Sequence, residues 1–351
     1  MDYRMVNCMN ASFTGLHVSL RAHLLACPHQ LVGLIPYFRL LGLLTLTLIL
    51  TACQPAQESP LRIASNTWPG YEPLYLARNL GHFDNTQVNL VEMTSASEVI
   101  HALRNHTIEG AALTLDEVLT VMEDGYDLKV ILVMDFSNGG DVLLSKPDIS
   151  SLAELKGKNI AVEYTAVGAI LLNGALQAAN LSAEDVNIIA CSFDEHQFCY
   201  LHADAVVTFE PNRTSILALG ANQLFDSSQI PGRIIDVLAV HTKTLESHPR
   251  ALNQLISGYF KAIDYFNQQP LAAAELMKDR MRLTPSAILA SYEGLHLPSL
   301  AENIDLLRGE SSKLEEIATD LSSFMRQRKL LSHEVSVKAI GTDQFTLKVS
   351  P

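Results

Sequence analysis

The chain has 351 residues, of which 48% are hydrophobic and 18% are charged, and its formal net charge is −13. This size and composition allow two folded domains and exclude both a disordered chain and a protein with many membrane spans. The acidic charge disfavours nucleic-acid binding, because no basic excess is available to neutralise phosphates.

The N-terminal part of the chain has the pattern of a bacterial export signal. An apolar run over residues 40–50 follows Arg39 and is shorter than the roughly 20 residues that span a bilayer. The Leu-Thr-Ala-Cys sequence that ends at Cys53 resembles the lipobox of bacterial lipoproteins. We predict a signal peptide over 1–52, whose length suggests a start assigned too far upstream, then lipidation at Cys53 and a polar tether over 53–60. The alternative is a buried leucine-rich helix that ends in a cysteine.

Short apolar segments alternate with helical segments from residue 61 onward, a pattern typical of α/β sheets. The predicted strands span 61–65, 88–93, 110–113, 129–135, 159–164, 186–192, 205–209, 223–225 and 234–241. An all-helical region follows, and its apolar residues recur at helical spacing, which indicates core packing. The tail over 335–349 alternates weakly and is predicted as an edge strand.

Two predicted helix starts place polar side chains at the ends of strands. Ser95 and Thr114 each open a Ser/Thr-x-x-Glu capping box just after a predicted strand. Because open α/β sheets bind ligands at the carboxyl ends of their strands, we expect both residues at a binding edge.

Two loops of the first half carry further candidates. Trp68, the only tryptophan, follows the first strand beside proline and glycine, where a ligand wall is more typical than a core position. Ser137 and Asp141 flank two adjacent glycines, which permit close backbone approach. A plain turn between strands would have the same sequence.

The second half contributes a helix start and two carboxylates. Thr165 is a good N-cap and Ala166 begins an apolar helix, so the first-turn amides could hold a negative charge, or the helix could simply be capped. Glu210 ends a strand. Asp236 lies inside an apolar strand, where a carboxylate is costly unless it is paired or faces a polar cleft. It could bind a ligand amine or anchor a neighbouring amide or arginine.

Two cysteines remain when those of the leader and Cys53 are set aside. Cys191 and Cys199 could form a disulfide in an oxidising compartment or remain buried thiols, and the sequence leaves both open. With two nearby histidines they form the only Cys/His cluster, for which we expect a structural role rather than zinc binding. No metal or cofactor is predicted.

Several segments resemble, in order and spacing, the nitrate/sulfonate/taurine-type substrate-binding proteins of ABC importers. They are TWPGYEPLYLARNLGHF (Thr67–Phe83), LTLDEVL (Leu113–Leu119), DFSNGGDVLLSKPDISSLAELKGKNIAVE (Asp135–Glu163), VTFEP (Val207–Pro211) and DSSQIPGRIIDVLAV (Asp226–Val240). The resemblance implies the type II periplasmic-binding-protein fold, in which two α/β lobes with mixed sheets are joined by a two-segment hinge. It implies one lobe of 61–145 plus 236–351 and another of 146–235, with crossovers near 144–146 and 230–236.

The resemblance also implies a cleft that closes when ligand contacts both lobes. By position, the cleft residues of lobe one would be Trp68, Tyr71, Ser95, Thr114, Ser137 and Asp141. Those of lobe two or the hinge would be Thr165, Ala166, Glu210 and Asp236.

The predicted function is the extracytoplasmic solute-binding component of an ABC importer. The protein would be a monomer, held at the periplasmic face of a bacterial membrane by its lipid alone, with permease and ATPase subunits as partners. The resemblance allows a sulfonate, a taurine-like or a nitrogenous solute, and the carboxylates favour a zwitterion or an amine over a bare anion. The alternatives are a solute sensor for a membrane receptor and a thiamin-pyrimidine-related binding protein or enzyme. Catalysis is not predicted, because common catalytic motifs are absent.

Overall fold

The computed structural model describes residues 58–163, 166–309 and 311–349. Cys53, the predicted signal peptide, Thr165 and the side chain of Ala166 lie outside this description. The last residues of the predicted tether contact the fold, because the Glu58 carboxylate accepts hydrogen bonds from the backbone amides of Arg250 and Ala251 at 3.2 Å each.

Strands and helices alternate through the first two thirds of the described chain, and helices dominate the rest. The strands are β1 (Leu61–Ser65), β2 (Val88–Glu92), β3 (Gly110–Thr114), β4 (Leu128–Ser137), β5 (Val142–Ser145), β6 (Asn159–Val162), β7 (Asn187–Ala190), β8 (Ala205–Thr208), β9 (Asn222–Asp226), β10 (Ile235–His241) and β11 (Leu295–His296). The helices are α1 (Glu72–Asn79), α2 (Ala96–Arg104), α3 (Leu115–Glu123), α4 (Ala166–Ala178), α5 (His196–His202), α6 (Asn212–Leu217), α7 (Thr244–Ser247), α8 (Pro249–Gln268), α9 (Pro270–Met281), α10 (Pro285–Ser291), α11 (Leu300–Leu307) and α12 (Lys313–Gln327). Within the described ranges, none of these helices is both long and apolar enough to cross a bilayer.

Lobe one is built on a six-stranded mixed sheet with the order β11-β4-β10-β3-β1-β2. β1 runs parallel to β2 and β3, whereas β10 returns from the second lobe and runs antiparallel to β3 and β4. The apolar stripe of α8 packs on this sheet with fully buried Leu255 and Tyr259, as its helical spacing predicts. Because β1, β3 and β4 run in the same direction, their carboxyl ends lie at the same edge of this sheet.

Lobe two is built on a five-stranded mixed sheet with the order β7-β6-β8-β5-β9. β5 pairs antiparallel with β8 and β9, so residues 142–145 belong to this lobe. The sequence prediction placed them in lobe one, with the first crossover at 144–146. The chain instead crosses over residues 138–141, because Gly139 adopts a φ of +111° that lets the backbone turn away directly after β4.

The two crossover segments are bonded to each other between the lobes. The Ser227 hydroxyl lies 2.7 Å from the Ser137 hydroxyl and accepts a hydrogen bond from the Gly139 amide at 2.7 Å. Ser137 and Ser227 are almost fully buried. These bonds tie the hinge segments together at the base of the cleft.

The C-terminal tail differs from the prediction of an edge strand. Over 335–349 the backbone makes one isolated bridge, between Val130 and Gly341, and a short 3-10 turn at Thr346–Lys348. Val335, Val337 and Ile340 are nevertheless buried. The weak alternation reflects side chains that pack singly onto lobe one rather than a strand.

A disulfide joins Cys191 to Cys199, with the two Cα atoms 6.5 Å apart. It connects the end of β7 to α5 in lobe two. Of the two alternatives that the sequence left open, the structure therefore has the disulfide.

Candidate ligand-binding site

A cavity with about 320 Å³ of empty space lies between the two lobes. Its lining consists of Asn66, Trp68, Tyr71, Ala96, Thr114, Glu117, Asp141, Glu163, Val167, Phe209 and Asp236. These residues follow strands or begin helices of both lobes, as expected for the binding edge of two open α/β sheets.

The register of the first sheet places two carboxyl groups side by side beneath this cavity. Asp236 on β10 lies opposite Asp135 on β4 and opposite Thr114 at the end of β3. Both aspartates are at most 2% exposed. Two adjacent buried carboxyls repel each other when both are ionised, so each favours the protonated form of its neighbour.

The loop after β1 covers these carboxyls with donors. The indole nitrogen of Trp68 donates a hydrogen bond to Asp135 Oδ2 at 3.1 Å, and the Tyr71 hydroxyl donates to Asp236 Oδ1. Gly70 is required for this approach, because a Cβ atom there would lie 1.6 Å from Asp135 Oδ2. The Trp-Pro-Gly-Tyr sequence therefore shapes one wall of the cavity.

An aromatic contact connects the two lobes across the cavity. Trp68 meets Phe209, which follows β8, edge to face, with ring centroids 5.2 Å apart. Phe193 stacks on the other side of Phe209 at 4.3 Å between centroids. Phe209 is therefore held between a wall residue of lobe one and the interior of lobe two.

A hydrogen-bonded contact also spans the lobes. Glu163, at the end of β6, accepts bonds from the Ser97 amide at 3.4 Å and the Ser97 hydroxyl at 3.3 Å. Glu163 Oε2 and Asp141 Oδ2 are buried without a hydrogen-bond partner among the residues that the structure describes. Two oxygen atoms of the cavity lining are thus available to a ligand.

Burial shifts the pKa of three carboxyl groups of the lining, those of Asp141, Glu163 and Asp236, upward from their ordinary range. Burial, with a smaller contribution from the nearby Glu117 carboxylate, raises the pKa of Asp141 and of Glu163 to about 7 each. Burial also raises the pKa of Asp236 well above its usual range, with repulsion from Asp135 as the next cause. Strong desolvation in a cleft is a common mark of a functional site.

Positive charge is missing from this lining. The described residues around the cavity include four carboxyl groups but no lysine, arginine or histidine. No group of three or more histidine, cysteine, aspartate or glutamate residues in the described ranges has a geometry that could hold a metal ion. The described part of the lining therefore presents acidic groups to the cavity.

The first turn of α4 supplies a different kind of group. This helix begins at Ala166, and Val167 lines the cavity. Backbone amides at a helix start favour negative charge. A solute with both a cationic nitrogen and an anionic end could use the carboxyls and this helix start together.

The residues that the sequence singled out divide into two groups. Trp68, Tyr71, Thr114, Asp141 and Asp236 all line the cavity. Their ligand contacts remain a prediction, but the fold brings them together from four separate segments.

The other described candidates form hydrogen bonds with nearby groups and do not line the cavity. Ser95 accepts a hydrogen bond from the Glu98 amide and caps α2, and Glu210 accepts bonds from the amide and hydroxyl of Thr214 at 3.1 and 2.9 Å. Ser137 bonds within the hinge, as described above. None of the three is among the lining residues.

Six lining residues were not singled out from the sequence: Asn66, Ala96, Glu117, Glu163, Val167 and Phe209. Glu117 and Glu163 carried a usable signal, since each is a carboxylate within two or three residues of a strand end. The sequence pattern explains Glu117 as the acidic residue of the capping box that begins at Thr114. Its carboxylate does accept a hydrogen bond from the Thr114 backbone amide at 3.0 Å. The same side chain also lines the cavity.

Comparison with known proteins places this architecture in a family. A model described as NMT1/THI5 like matches residues 68–273, more than half of the chain. The chain belongs to the NMT1/THI5-like family. No curated protein sequence matches it.

Solved structures similar to this NMT1/THI5-like chain include named binding proteins. The alkanesulfonate-binding protein SsuA from Xanthomonas axonopodis pv. citri matches with a TM-score of 0.68 at 16% identity, over 82% of this chain and 99% of that one. The ligand-binding component of an ABC-type import system from Staphylococcus aureus has a TM-score of 0.69 at 14% identity, over 84% and 99%. The aliphatic sulphonate-binding protein SsuA from Escherichia coli has a TM-score of 0.65 at 15% identity, over 80% and 91%. These matches confirm the predicted periplasmic-binding-protein fold.

Proposed function

We propose that the chain is the extracytoplasmic solute-binding component of an ABC importer, and that its solute carries a positively charged nitrogen. The observation that carries the proposal is the lining of the interlobe cavity, which includes the carboxyl groups of Asp141, Glu163 and Asp236 and, among the described residues, no lysine, arginine or histidine. A buried carboxylate is stabilised most strongly by a cation, and an anionic solute would raise its energy.

The proposed solute differs from those in the names of the similar structures. A sulfonate needs hydrogen-bond donors, whereas Asp141 Oδ2 and Glu163 Oε2 present acceptors once they are ionised. A zwitterion remains compatible, because the first turn of α4 lies at the cavity. Primary amines, amidines and protonated amino-heterocycles are the classes that fit the carboxyls best.

Capture by lobe closure is the second part of the proposal. The Trp68–Phe209 and Ser97–Glu163 contacts join the lobes, and little of the cavity is wide enough for even a water-sized molecule. A solute would therefore enter only when these contacts are open, and the lobes would then close on the solute itself. Only a ligand that binds the closed state more tightly can shift the lobes in this way.

Delivery follows from the proposed location. We propose that Cys53 is acylated after removal of 1–52, and that the lipid holds the protein at the periplasmic face of a membrane beside the permease and ATPase subunits of the importer. Glu58 and Ser59 bond to lobe one, Ser59 through its hydroxyl to His248 at 2.8 Å. The described end of the tether therefore lies close to the start of α8.

Thermal unfolding with charge-matched solutes tests the proposal. At pH 8, benzamidine and small alkylamines are expected to raise the melting temperature, whereas benzenesulfonate and alkanesulfonates of the same carbon skeleton are not. A ligand at a hundred times its Kd raises the free energy of unfolding by about 2.7 kcal/mol. Stabilisation by sulfonates or nitrate alone, or by no member of a panel that includes taurine, ureas and aminopyrimidines, would contradict it.

A further inference from the structure

A second and larger space adjoins the acidic cavity. It has about 1290 Å³ of empty space and lies between α2 and α3 of lobe one and α4 and β7 of lobe two. We call it the interlobe groove and define it by Ile100, Val162, Leu172, Ile188 and Leu330, its large aliphatic lining residues. Nothing in the proposed function requires this groove.

The groove and the acidic cavity share two residues, Glu117 and Glu163. Both carboxylate residues therefore lie at the boundary between the two spaces. Ser97, which bonds to Glu163 at 3.3 and 3.4 Å, also lines the groove. Hydrogen bonds of this length are weak, so rotation of Glu163 toward a cation would join the two spaces.

The groove lining is mostly apolar and partly open to water, although Arg104, Thr120 and Lys329 also line it. Ile188 on β7 is 49% exposed and lies in this lining. A ligand that covers it would remove apolar surface from water at a gain of about 25 cal/mol per Å². The groove thus offers hydrophobic contact directly beyond the carboxyls of the cavity.

We propose that the solute is an amphiphilic amine whose cationic nitrogen binds in the acidic cavity and whose apolar chain or ring lies in the interlobe groove. This rests on the proposed function, because the carboxyls select the cationic end. The interlobe groove would in addition favour solutes that have an apolar chain or ring. The solute would then contact α4 and β7 of lobe two as well as lobe one, which couples its length to lobe closure.

The test is a series of n-alkylamines with two to eight carbons, titrated by calorimetry at pH 8. Affinity is expected to rise about threefold to fourfold per methylene once the chain reaches the groove. The Ile188→Ser variant should bind the longest amines about fivefold more weakly than the natural protein does, and it should bind the shortest amine with unchanged affinity.

Ile189→Ser is the matched control. Ile189 is the next residue on β7 and is 41% exposed, but it is not among the groove residues, because alternate side chains of a strand point to opposite faces. This variant should bind every amine as the natural protein does. The groove proposal would be overturned by equal losses of affinity in both variants, or by an affinity that does not grow with chain length. In either case, binding of the short amines would still support the proposed function. Failure of every amine to bind would overturn both.

Discussion

Asp236→Asn is expected to weaken binding of a cationic solute by about a hundredfold, because the change removes a buried carboxylate from the binding site. The unliganded protein should be at least as stable as the natural one. Asp236 is 2% exposed and lies against Asp135, so its ionised form is unfavourable when no cation is present. Asparagine keeps the shape of the aspartate side chain and has an oxygen atom that can accept the hydrogen bond from the Tyr71 hydroxyl.

Titration calorimetry and thermal unfolding at pH 8 measure the two effects. Asp305→Asn is the control, since it makes the same change in net charge at an exposed carboxylate whose side chain is 65% exposed. It should alter affinity less than twofold, as expected of a screened surface charge. If Asp236→Asn instead unfolds the protein, or binds cations as tightly as before, the carboxylate has a structural role.

The stability of the unliganded protein is expected to fall as the pH rises from 6.5 to 8.5. Asp135, Asp141 and Glu163 have a pKa of about 7 in the folded protein because they are buried, whereas an unfolded chain titrates them near 4. Their contribution to stability is therefore complete below the unfolded pKa and is lost as the pH rises through 7. A melting temperature that increases over this range would contradict the raised pKa values.

The buried side chain of His196 is the reason why the fall in stability is predicted only above about pH 6.5. Burial lowers the pKa of His196 to about 4, so its contribution is present above its unfolded pKa and is lost as the pH falls. Below about pH 6.5 this effect opposes that of the carboxyls. A bound cation favours the ionised carboxyls, so the rise in melting temperature caused by an amine should grow from pH 6.5 to 8.5.

Much of the fold could be predicted because local patterns and tertiary structure agree. The nine strands predicted between residues 61 and 241 all exist, although the edge strand predicted over 335–349 does not, and the stripe on α8 is buried as its spacing indicates. The first crossover was misplaced because β5 is an apolar strand that could pair in either sheet. Only the turn at Gly139 and the partners β8 and β9 decide its lobe.

The candidate site was predictable where a residue conflicted with its surroundings. Asp236 interrupts an apolar strand and Trp68 lies in a loop, and both line the cavity. Ser95 and Glu210 bond within their own helix or turn and are not among the lining residues, since a polar residue at a strand end can equally satisfy local backbone groups. The pairing of Asp135 with Asp236 depends on strand register between distant segments, which sequence spacing does not reveal.

The most direct test of a cation-binding cavity is the number of protons exchanged when a solute binds. Calorimetric titration with benzamidine at pH 7, repeated in two buffers that contain no primary amine and differ in ionisation enthalpy, gives that number. We predict proton release, because a bound cation lowers the pKa of carboxyl groups that are about half protonated at this pH. Proton uptake, which a bound anion would cause by raising the same pKa values, or no exchange at all would contradict the account.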